Sequence, residues 1–279
     1  MLKINQLSFS YSSNNCKVFN DFSLKFEKGA VYGLLGKNGT GKSTLLYLTT
    51  GLLRPQQGSV QFKGEEVSHR LPSTLSDMYI VPEEFVLPTM TMKQYVRLHA
   101  PFYPNFSQEQ LKSNLALFDL DDNIRLGSLS MGQKKKVYMC FALAANTSLL
   151  VMDEPTNGLD IPSKSEFRKL IASNMSDEKT IIISTHQVRD IDSLLDHIVI
   201  IDQSSVLLNA SNADICRRLL FTELPMSEPT DGALYVQPSV SGNSAILLNE
   251  YDEESRMNLE LLFNGVLAER EKFAQVFNR

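Results

Sequence analysis

A glycine-rich octapeptide lies between two apolar segments, one with the character of a strand (31–35) and one with that of a helix (44–48). It reads Gly36-Lys37-Asn38-Gly39-Thr40-Gly41-Lys42-Ser43. Glycines let such a loop curl so that successive backbone N–H groups face an anion, and the following helix directs its positive dipole end at the same point. A glycine-rich turn without a ligand is the alternative. The order of strand, loop, Lys-Ser and helix favours a nucleotide phosphate site.

The side chains of this loop are predicted to bind different parts of a nucleoside triphosphate and its metal ion. We predict that Lys42 places its charge on the β- and γ-phosphates and that the Ser43 hydroxyl is a ligand of Mg²⁺. The whole set of predicted nucleotide-binding residues here is Gly36, Lys37, Asn38, Gly39, Thr40, Gly41, Lys42, Ser43 and Thr44. A nucleoside triphosphate and Mg²⁺ are therefore the predicted ligands of this loop.

A second acidic site follows the apolar run 149–152, which ends in Asp153 and Glu154. A parallel strand delivers the residues at its carboxyl end to the crevice where ligands bind. We predict that Asp153 holds Mg²⁺, directly or through water, and that Glu154 orients or deprotonates the attacking water. An apolar run before two carboxylates is weak evidence alone, but it becomes strong beside the glycine-rich loop.

Composition limits the class of protein. The 279 residues are 43% hydrophobic and 21% charged, with a net charge of −5, which is typical of a globular chain and disfavours a polyanion-coating protein. No apolar run is long enough to cross a membrane, and the first ten residues lack the plan of a secretory signal. Cys16, Cys140 and Cys216 are too dispersed for a disulfide framework or a metal site. We expect a cytoplasmic chain.

The pattern of elements predicts an α/β fold with a mostly parallel core sheet. Two early runs, 2–9 and 22–26, alternate apolar and polar residues and indicate an antiparallel β subdomain. Helical patterns at 93–100 and 108–118 predict a helical subdomain at about 88–145 within a first domain, 1–208. Residues 211–279 are predicted to form a small C-terminal α/β unit with strands at 233–237 and 245–248 and one amphipathic terminal helix.

Several further motifs carry a family resemblance. The segment Leu129-Ser130-Met131-Gly132-Gln133 resembles the LSGGQ signature of ATP-binding-cassette (ABC) ATPases, which are P-loop NTPases. Gly158-Leu159-Asp160 resembles the D-loop of that family, and Ser184-Thr185-His186 resembles its switch-histidine motif. Tyr11 lies 25 residues before Gly36, where the family carries an aromatic side chain that stacks on adenine. The resemblance covers about residues 1–208.

The resemblance implies a mechanism that needs two cassettes. They face each other head to tail, and each ATP lies between the P-loop of one and the signature of the other. Ser130, Gly132 and Gln133 would contact the γ-phosphate at a helix start, which suits an anion. His186 would contact the same phosphate and hold the catalytic geometry with Glu154, while Asp160 would connect the two sites. ATP binding then closes the dimer and hydrolysis opens it.

One position departs from the family pattern. The family's metal-sensing glutamine follows an apolar strand and a proline, whereas Glu83 stands there in this chain. Its carboxylate offers an oxygen to Mg²⁺ but adds a negative charge beside the triphosphate, which weakens ATP binding unless the metal or another cation offsets it. Glu83 is therefore the third predicted metal ligand, beside Ser43 and Asp153.

The resemblance implies the ATP-hydrolysing subunit of a bacterial, export-type ABC transporter. It would pair with an identical or paralogous cassette and lie on the inner face of the cell membrane, where it drives separate transmembrane permease subunits. One alternative is a soluble ABC ATPase that acts on nucleic acid or ribosomes. The single cassette, the absence of heptads between residues 43 and 129 and the acidic charge disfavour it. A catalytically weak regulatory cassette is the other alternative, which Glu83 suggests and Glu154 and His186 oppose.

Two surfaces carry further expectations. Lys134, Lys135 and Lys136 are most simply a solvated helix face, because consecutive helical residues point in different directions. Segment 87–106 is rich in apolar and aromatic residues, and in the family this region receives helices of the membrane subunits. We expect Tyr95→Ala to uncouple transport more than it alters ATP hydrolysis.

Overall fold

A computed structural model describes residues 1–11, 17–227, 230, 232–240 and 242–277. Cys16 lies outside the described residues, Cys140 is a buried free thiol and Cys216 is a half-buried one. Thirteen strands lie within these ranges: β1 Leu2–Ser10, β2 Lys17–Phe26, β3 Val31–Leu35, β4 Gln57–Phe62, β5 Glu65–Glu66, β6 Met78–Val81, β7 Leu149–Asp153, β8 Thr180–Thr185, β9 His197–Asp202, β10 Ser205–Ser211, β11 Leu219–Leu224, β12 Tyr235–Pro238 and β13 Asn243–Leu248.

The described ranges also contain nine α-helices. They are α1 Lys42–Thr49, α2 Pro72–Leu75, α3 Met92–His99, α4 Gln108–Ala116, α5 Met131–Ala144, α6 Ile161–Ser173, α7 Asn212–Arg218, α8 Leu259–Ala268 and α9 Arg270–Phe277. Among the described residues, none of these helices is both long and apolar enough to cross a membrane.

The central sheet has the order β10-β9-β3-β8-β7-β6. Strands β9, β3, β8, β7 and β6 are parallel, and β10 pairs antiparallel with β9. The inner strands are nearly continuous runs of Ile, Leu and Val because both of their faces are buried. The prediction of a mostly parallel core sheet is confirmed.

Two further layers flank this sheet. The antiparallel sheet β2-β1-β4-β5 agrees with the predicted antiparallel subdomain, and its phenylalanines join β3 in one hydrophobic core. The helices α3, α4 and α5 pack over the β6 edge of the central sheet around Phe141 and Tyr79. Tyr95 is only 8% exposed and packs edge to face on Phe141. It is therefore a core residue and not part of an exposed docking groove. We expect Tyr95→Ala to destabilise the fold, and the uncoupling of transport stays a prediction.

The C-terminal elements form the sheet β11-β13-β12 with α8 and α9 against it. Strand β10 continues through residue 208 to Ser211, and buried residues of β13, α8 and α9 share one core with the central sheet. The single terminal helix predicted from the apolar stripe is wrong, because the helix ends at Ala268 and a second one begins at Arg270. Gly265 leaves space for the ring of Phe273, so α9 packs back on α8.

Candidate nucleotide-binding site

The predicted site residues follow four neighbouring strands of the central sheet. Strands β3, β8, β7 and β6 are parallel and in order, so their carboxyl ends meet at one edge. The loop 36–41 follows β3, His186 follows β8, Glu154 follows β7 and Glu83 lies just after β6. Residues that are distant in sequence are therefore brought to one crevice, as parallel sheets bring them in general.

Two glycines of the loop are required by its backbone. A Cβ at Gly36 would lie 2.8 Å from the carbonyl oxygen of Ile201. Gly41 has a φ of +97°, and a Cβ there would lie 2.7 Å from Cγ1 of Val18. Helix α1 begins directly after Gly41, and among the described residues no side chain caps its first turn. The N–H groups of that turn are thus available to an anion.

The ammonium of Lys42 is held at the mouth of this loop. Its Nζ donates hydrogen bonds to the carbonyl oxygens of Gly36 at 2.8 Å and Lys37 at 3.2 Å. Burial lowers the pKa of Lys42, whereas the negative charges of Glu154, Asp153 and Glu83 raise it. A buried cation surrounded by carboxylates gains a further favourable partner when a phosphate enters.

The two carboxylates after β7 are held in different ways. Asp153 is buried and accepts a hydrogen bond from the hydroxyl of Ser184, the residue opposite it on β8. The Glu154 carboxylate accepts hydrogen bonds from Thr185 Oγ1 at 3.1 Å and from the His186 N–H at 3.0 Å. His186 Nδ1 lies 2.7 Å from Glu154 Oε1, the oxygen that also accepts the hydrogen bond from the His186 N–H. Glu154 and His186 thus form one unit, and the β7 and β8 ends fix its direction.

A cavity of about 620 Å³ connects these groups. Tyr11 lies at its rim, half exposed, with its hydroxyl 3.1 Å from Thr44 Oγ1 and its ring edge to face with Phe9. Among the described residues, the lining consists of Tyr11, Val18, Asn38, Gly39, Gly41, Lys42, Ser43, Thr44, Glu83, Glu154, Asn157 and His186. An aromatic rim, an uncapped helix start, a lysine and a Glu–His unit therefore share one space.

Comparison with known proteins identifies the family. A family model described as ABC transporter matches residues 19–157. The lantibiotic transport ATP-binding protein SrtF of Streptococcus pyogenes is 31% identical over 75% of this chain and 90% of its own length. The chain belongs to the family of ABC transporter ATP-binding proteins. It is also 27% identical to the ABC transporter ATP-binding protein YtrB of Bacillus subtilis (strain 168), over 85% of this chain and 80% of YtrB.

A solved structure of the ATP-binding subunit of an ABC transporter has a TM-score of 0.68 with 26% identity, and the match covers 78% of this chain and 92% of that one. The predicted ABC cassette is thereby confirmed, as is the prediction of an ATP-binding, ATP-hydrolysing transporter subunit. These matches give no support to the alternative of an ATPase that acts on nucleic acid or ribosomes.

Four predicted residues of this ABC subunit lie away from the cavity lining. Ser130 is the N-cap of α5, and its hydroxyl accepts a hydrogen bond from the Gln133 N–H at 3.3 Å while the Gln133 side chain accepts one from the Ser130 N–H at 3.1 Å. Gly132 lies in this first turn, near the Gly158 carbonyl. Asp160 caps α6 through the Ser163 N–H, and its hydrogen bonds with Ser163 lower its pKa. Ser130, Gln133 and Asp160 are exposed, and Gly132 is half-buried.

The remaining predicted residues belong to the loop or to the β7 end and are not part of the cavity lining. Gly36, Lys37 and Thr40 form the curve of the loop, where Thr40 Oγ1 donates to the Lys37 carbonyl at 2.8 Å. Asp153 lies under the same wall as Glu154, in the β7 end. Of the three predicted metal ligands, Ser43 and Glu83 line the cavity and Asp153 lies behind it.

Sequence reasoning missed two residues of this site. Asn157 lines the cavity and donates from Nδ2 to Glu83 Oε1 at 3.0 Å. Lys135 is only 6% exposed, so the expectation of a solvated face at Lys134, Lys135 and Lys136 is wrong for this residue. The signal was present, since Lys135 lies four residues before the buried Met139 and so on the inner face of α5.

Proposed function

We propose that two copies of the chain, or one copy and a paralogous cassette, close head to tail around two MgATP molecules and so drive separate transmembrane permease subunits. The observation that carries this proposal is the division of the site. The cavity holds Lys42, Glu154 and His186, whereas Ser130 and Gly132 lie at an exposed helix start away from it. A nucleotide that contacts both sets therefore needs a second cassette.

The roles within one cavity follow from position and chemistry. The Tyr11 ring lies at the rim, where it stacks on adenine, and the loop 36–44 binds the phosphates. Lys42 neutralises the β- and γ-phosphates. Glu154 is the general base for the attacking water, and His186 holds the γ-phosphate and the Glu154 carboxylate together.

The oxygen donors near Lys42 fit Mg²⁺. The Ser43 hydroxyl and the carboxylates of Glu83 and Asp153 are the hard ligands that Mg²⁺ prefers. Among the described residues, no group of three acidic, histidine or cysteine side chains forms a complete metal cage. This suits Mg²⁺, which is usually bound through one or two carboxylates together with the substrate phosphates.

Exposed apolar side chains beside the signature support a second cassette as the partner. Met131, in the first turn of α5, is 57% exposed, and Ile161, which follows Asp160, is 84% exposed. Both lie next to residues that the proposal assigns to the dimer. Asp160 then lies between the two nucleotides and connects them. When a partner covers large apolar side chains at these positions, their burial lowers the free energy of the complex.

The rest of the chain is assigned by the same proposal. Residues 1–208 form the cassette with its helical subdomain at about 88–145, and 211–279 form a small accessory unit. Exposed side chains on the helical side, such as Val86 and Phe102, are proposed to meet the permease. The subunit would then be cytoplasmic and peripheral on the inner face of the membrane. The bacterial export-type assignment stays a prediction.

The experiment that tests the proposal is Glu154→Gln with MgATP, followed by size-exclusion chromatography and an ATPase assay. We expect a stable dimer with bound ATP and a kcat lower by roughly 100-fold or more, because the base is lost while the phosphate contacts remain. Glu109→Gln, at an exposed position on α4, is the control and should behave as the wild type. Glu154→Gln protein that binds ATP yet stays monomeric would contradict the sandwich, and a wild-type rate would show that Glu154 is not the base.

A further inference from the structure

We propose that Lys135 is a positioning residue for hydrolysis, which ties the start of α5 to the backbone of Glu154 and Asn157. This proposal rests on the proposed function, because it concerns the placement of the proposed base. Lys135 Nζ donates to the carbonyl oxygen of Glu154 at 3.2 Å and to that of Asn157 at 2.9 Å. These bonds span the segment that leads from β7 to the D-loop.

The backbone at Glu154 needs such support. Its φ is +44°, in the left-handed region that costs a residue with a side chain on the order of 1–3 kcal/mol. Its N–H donates to the Ser184 carbonyl at 3.0 Å, and its own carbonyl oxygen accepts a hydrogen bond from the Lys135 ammonium at 3.2 Å. The direction of the Glu154 carboxylate is therefore set from both β8 and α5.

The Lys135 ammonium is also connected to Glu83, one of the predicted metal ligands. Asn157, whose carbonyl it holds, donates from Nδ2 to Glu83 Oε1 at 3.0 Å. Burial lowers the pKa of Lys135, and the negative charges of Glu83, Glu154 and Asp153 act in the opposite direction. Lys135 is thus a second buried lysine of the site, and it is connected to Glu83 through Asn157.

Helix α5 gives this contact a consequence across the dimer. Ser130 caps α5, and Lys135 lies about one turn further along the same helix. In the proposed dimer, the start of α5 meets the partner's nucleotide, whereas Glu154 acts on the chain's own. A movement of α5 on nucleotide contact is therefore transmitted through Lys135 to the base of the other site.

The test compares three variants at one helix. Lys135→Met removes the charge and the donors at similar length, Lys135→Arg keeps both, and Lys136→Met removes a neighbouring lysine whose ammonium lies 5.4 Å from the centre of the Phe118 ring. We expect Lys135→Met to lower kcat between about tenfold and 100-fold, because a small misplacement of a catalytic group has an effect of this order. The KM for ATP should change by less than roughly threefold, because Lys135 lies outside the cavity lining. Lys135→Arg should recover most of kcat, and Lys136→Met should keep the wild-type rate.

The outcomes separate this proposal from the one on which it rests. The double variant Lys135→Met with Glu154→Gln should still form the ATP-bound dimer, which shows that only the hydrolytic geometry was lost. If Glu154→Gln alone neither binds ATP nor dimerises, the proposed function fails whatever Lys135 does. If Glu154→Gln dimerises and Lys135→Met hydrolyses ATP at the wild-type rate, the positioning role alone is overturned. Should Lys135→Met not fold, Lys135→Gln takes its place, and a wild-type kcat in that variant overturns the role equally.

Discussion

Two helices carry the proposed phosphate contacts, and their first turns are satisfied in opposite ways. Helix α1 begins after Gly41, and within the described part of the chain no side chain caps it, so its N–H groups face the cavity beside Lys42. Helix α5 begins after Ser130, and a reciprocal pair of hydrogen bonds with Gln133 closes its first turn. The start of α1 therefore has N–H groups free to bind an anion, whereas the first turn of α5 already has its hydrogen bonds within the chain.

This difference suggests an order of events. We expect the α1 start and Lys42 to bind the triphosphate first, because an uncapped turn and a buried cation gain most from a bound phosphate. The α5 start lies at the surface with Met131 exposed. In the proposed dimer, it would exchange its internal capping bonds for contacts to the nucleotide on the other cassette. Binding and closure are then separate steps, and a variant can remove one without the other.

The largest expected effect is on the first step. Lys42→Met should weaken ATP binding by roughly 100-fold, because the charge-assisted hydrogen bonds to the phosphates are lost and the carboxylates nearby are left uncompensated. Titration calorimetry with MgATP measures it, and Lys112→Met, at an exposed position on α4, serves as the control. Wild-type affinity in Lys42→Met would remove the basis for treating the α1 start as the primary phosphate site.

The α1 half of the site was predictable because its information is local. The loop 36–43 combines the glycines, the lysine and the helix start within eight residues, and both Gly36 and Gly41 prove necessary for steric reasons. The apolar runs before Asp153 and His186 also identify their strands, and parallel strands bring their ends together by rule. The prediction therefore needed only motifs and the topology of a parallel sheet.

What could not be predicted depends on contacts between distant segments. Asn157 and Glu83 are 74 positions apart, and no local pattern shows that they meet. The spacing from Met139 places Lys135 on the inner face of α5, but its carbonyl partners, Glu154 and Asn157, are 19 and 22 positions away and no local pattern shows those contacts. The break at Glu269 is equally invisible in the apolar stripe, and it accompanies the close packing of Phe273 on Gly265. Tertiary packing decides each of these cases.

A substitution at the α5 start should affect closure but not binding. Gly132→Asp places a negative charge in the first turn of α5, where the helix dipole favours it, so the helix remains folded while an incoming γ-phosphate is repelled. The position has room, because a Cβ there would lie 3.6 Å from the nearest atom, the Gly158 carbonyl oxygen. We expect ATPase activity to fall by roughly tenfold or more, as one like-charge contact near a protein surface accounts for an effect of this order.

Two measurements sharpen this contrast between the helix starts. The affinity of Gly132→Asp for ATP should stay close to that of the wild type, and ATP-dependent dimerisation in the Glu154→Gln background should be lost. Gly132→Asn, of the same size but neutral, is the matched control and should dimerise. A Gly132→Asp protein that dimerises normally with ATP would place the phosphate contact elsewhere than at the α5 start.

The smallest expected effect concerns the charge balance around the α1 start, at Glu83. Glu83→Gln keeps an oxygen that accepts the Asn157 hydrogen bond, so the contact to the D-loop segment survives. Without Mg²⁺, removal of this carboxylate should tighten ATP binding by about three- to tenfold, since a like-charge repulsion at about 4 Å that water fully screens is of the order of 1 kcal/mol. With Mg²⁺ present, the same substitution should be unfavourable, because an amide oxygen is a weaker ligand of Mg²⁺ than a carboxylate. Half-maximal ATPase activity of Glu83→Gln should therefore require more Mg²⁺. Calorimetry with ATP and a chelator and a Mg²⁺ titration of the ATPase rate measure the two arms, and Glu84→Gln at the exposed neighbouring position is the control. If neither arm moves, Glu83 acts on neither the phosphate nor the metal, and its bond to Asn157 is its whole role.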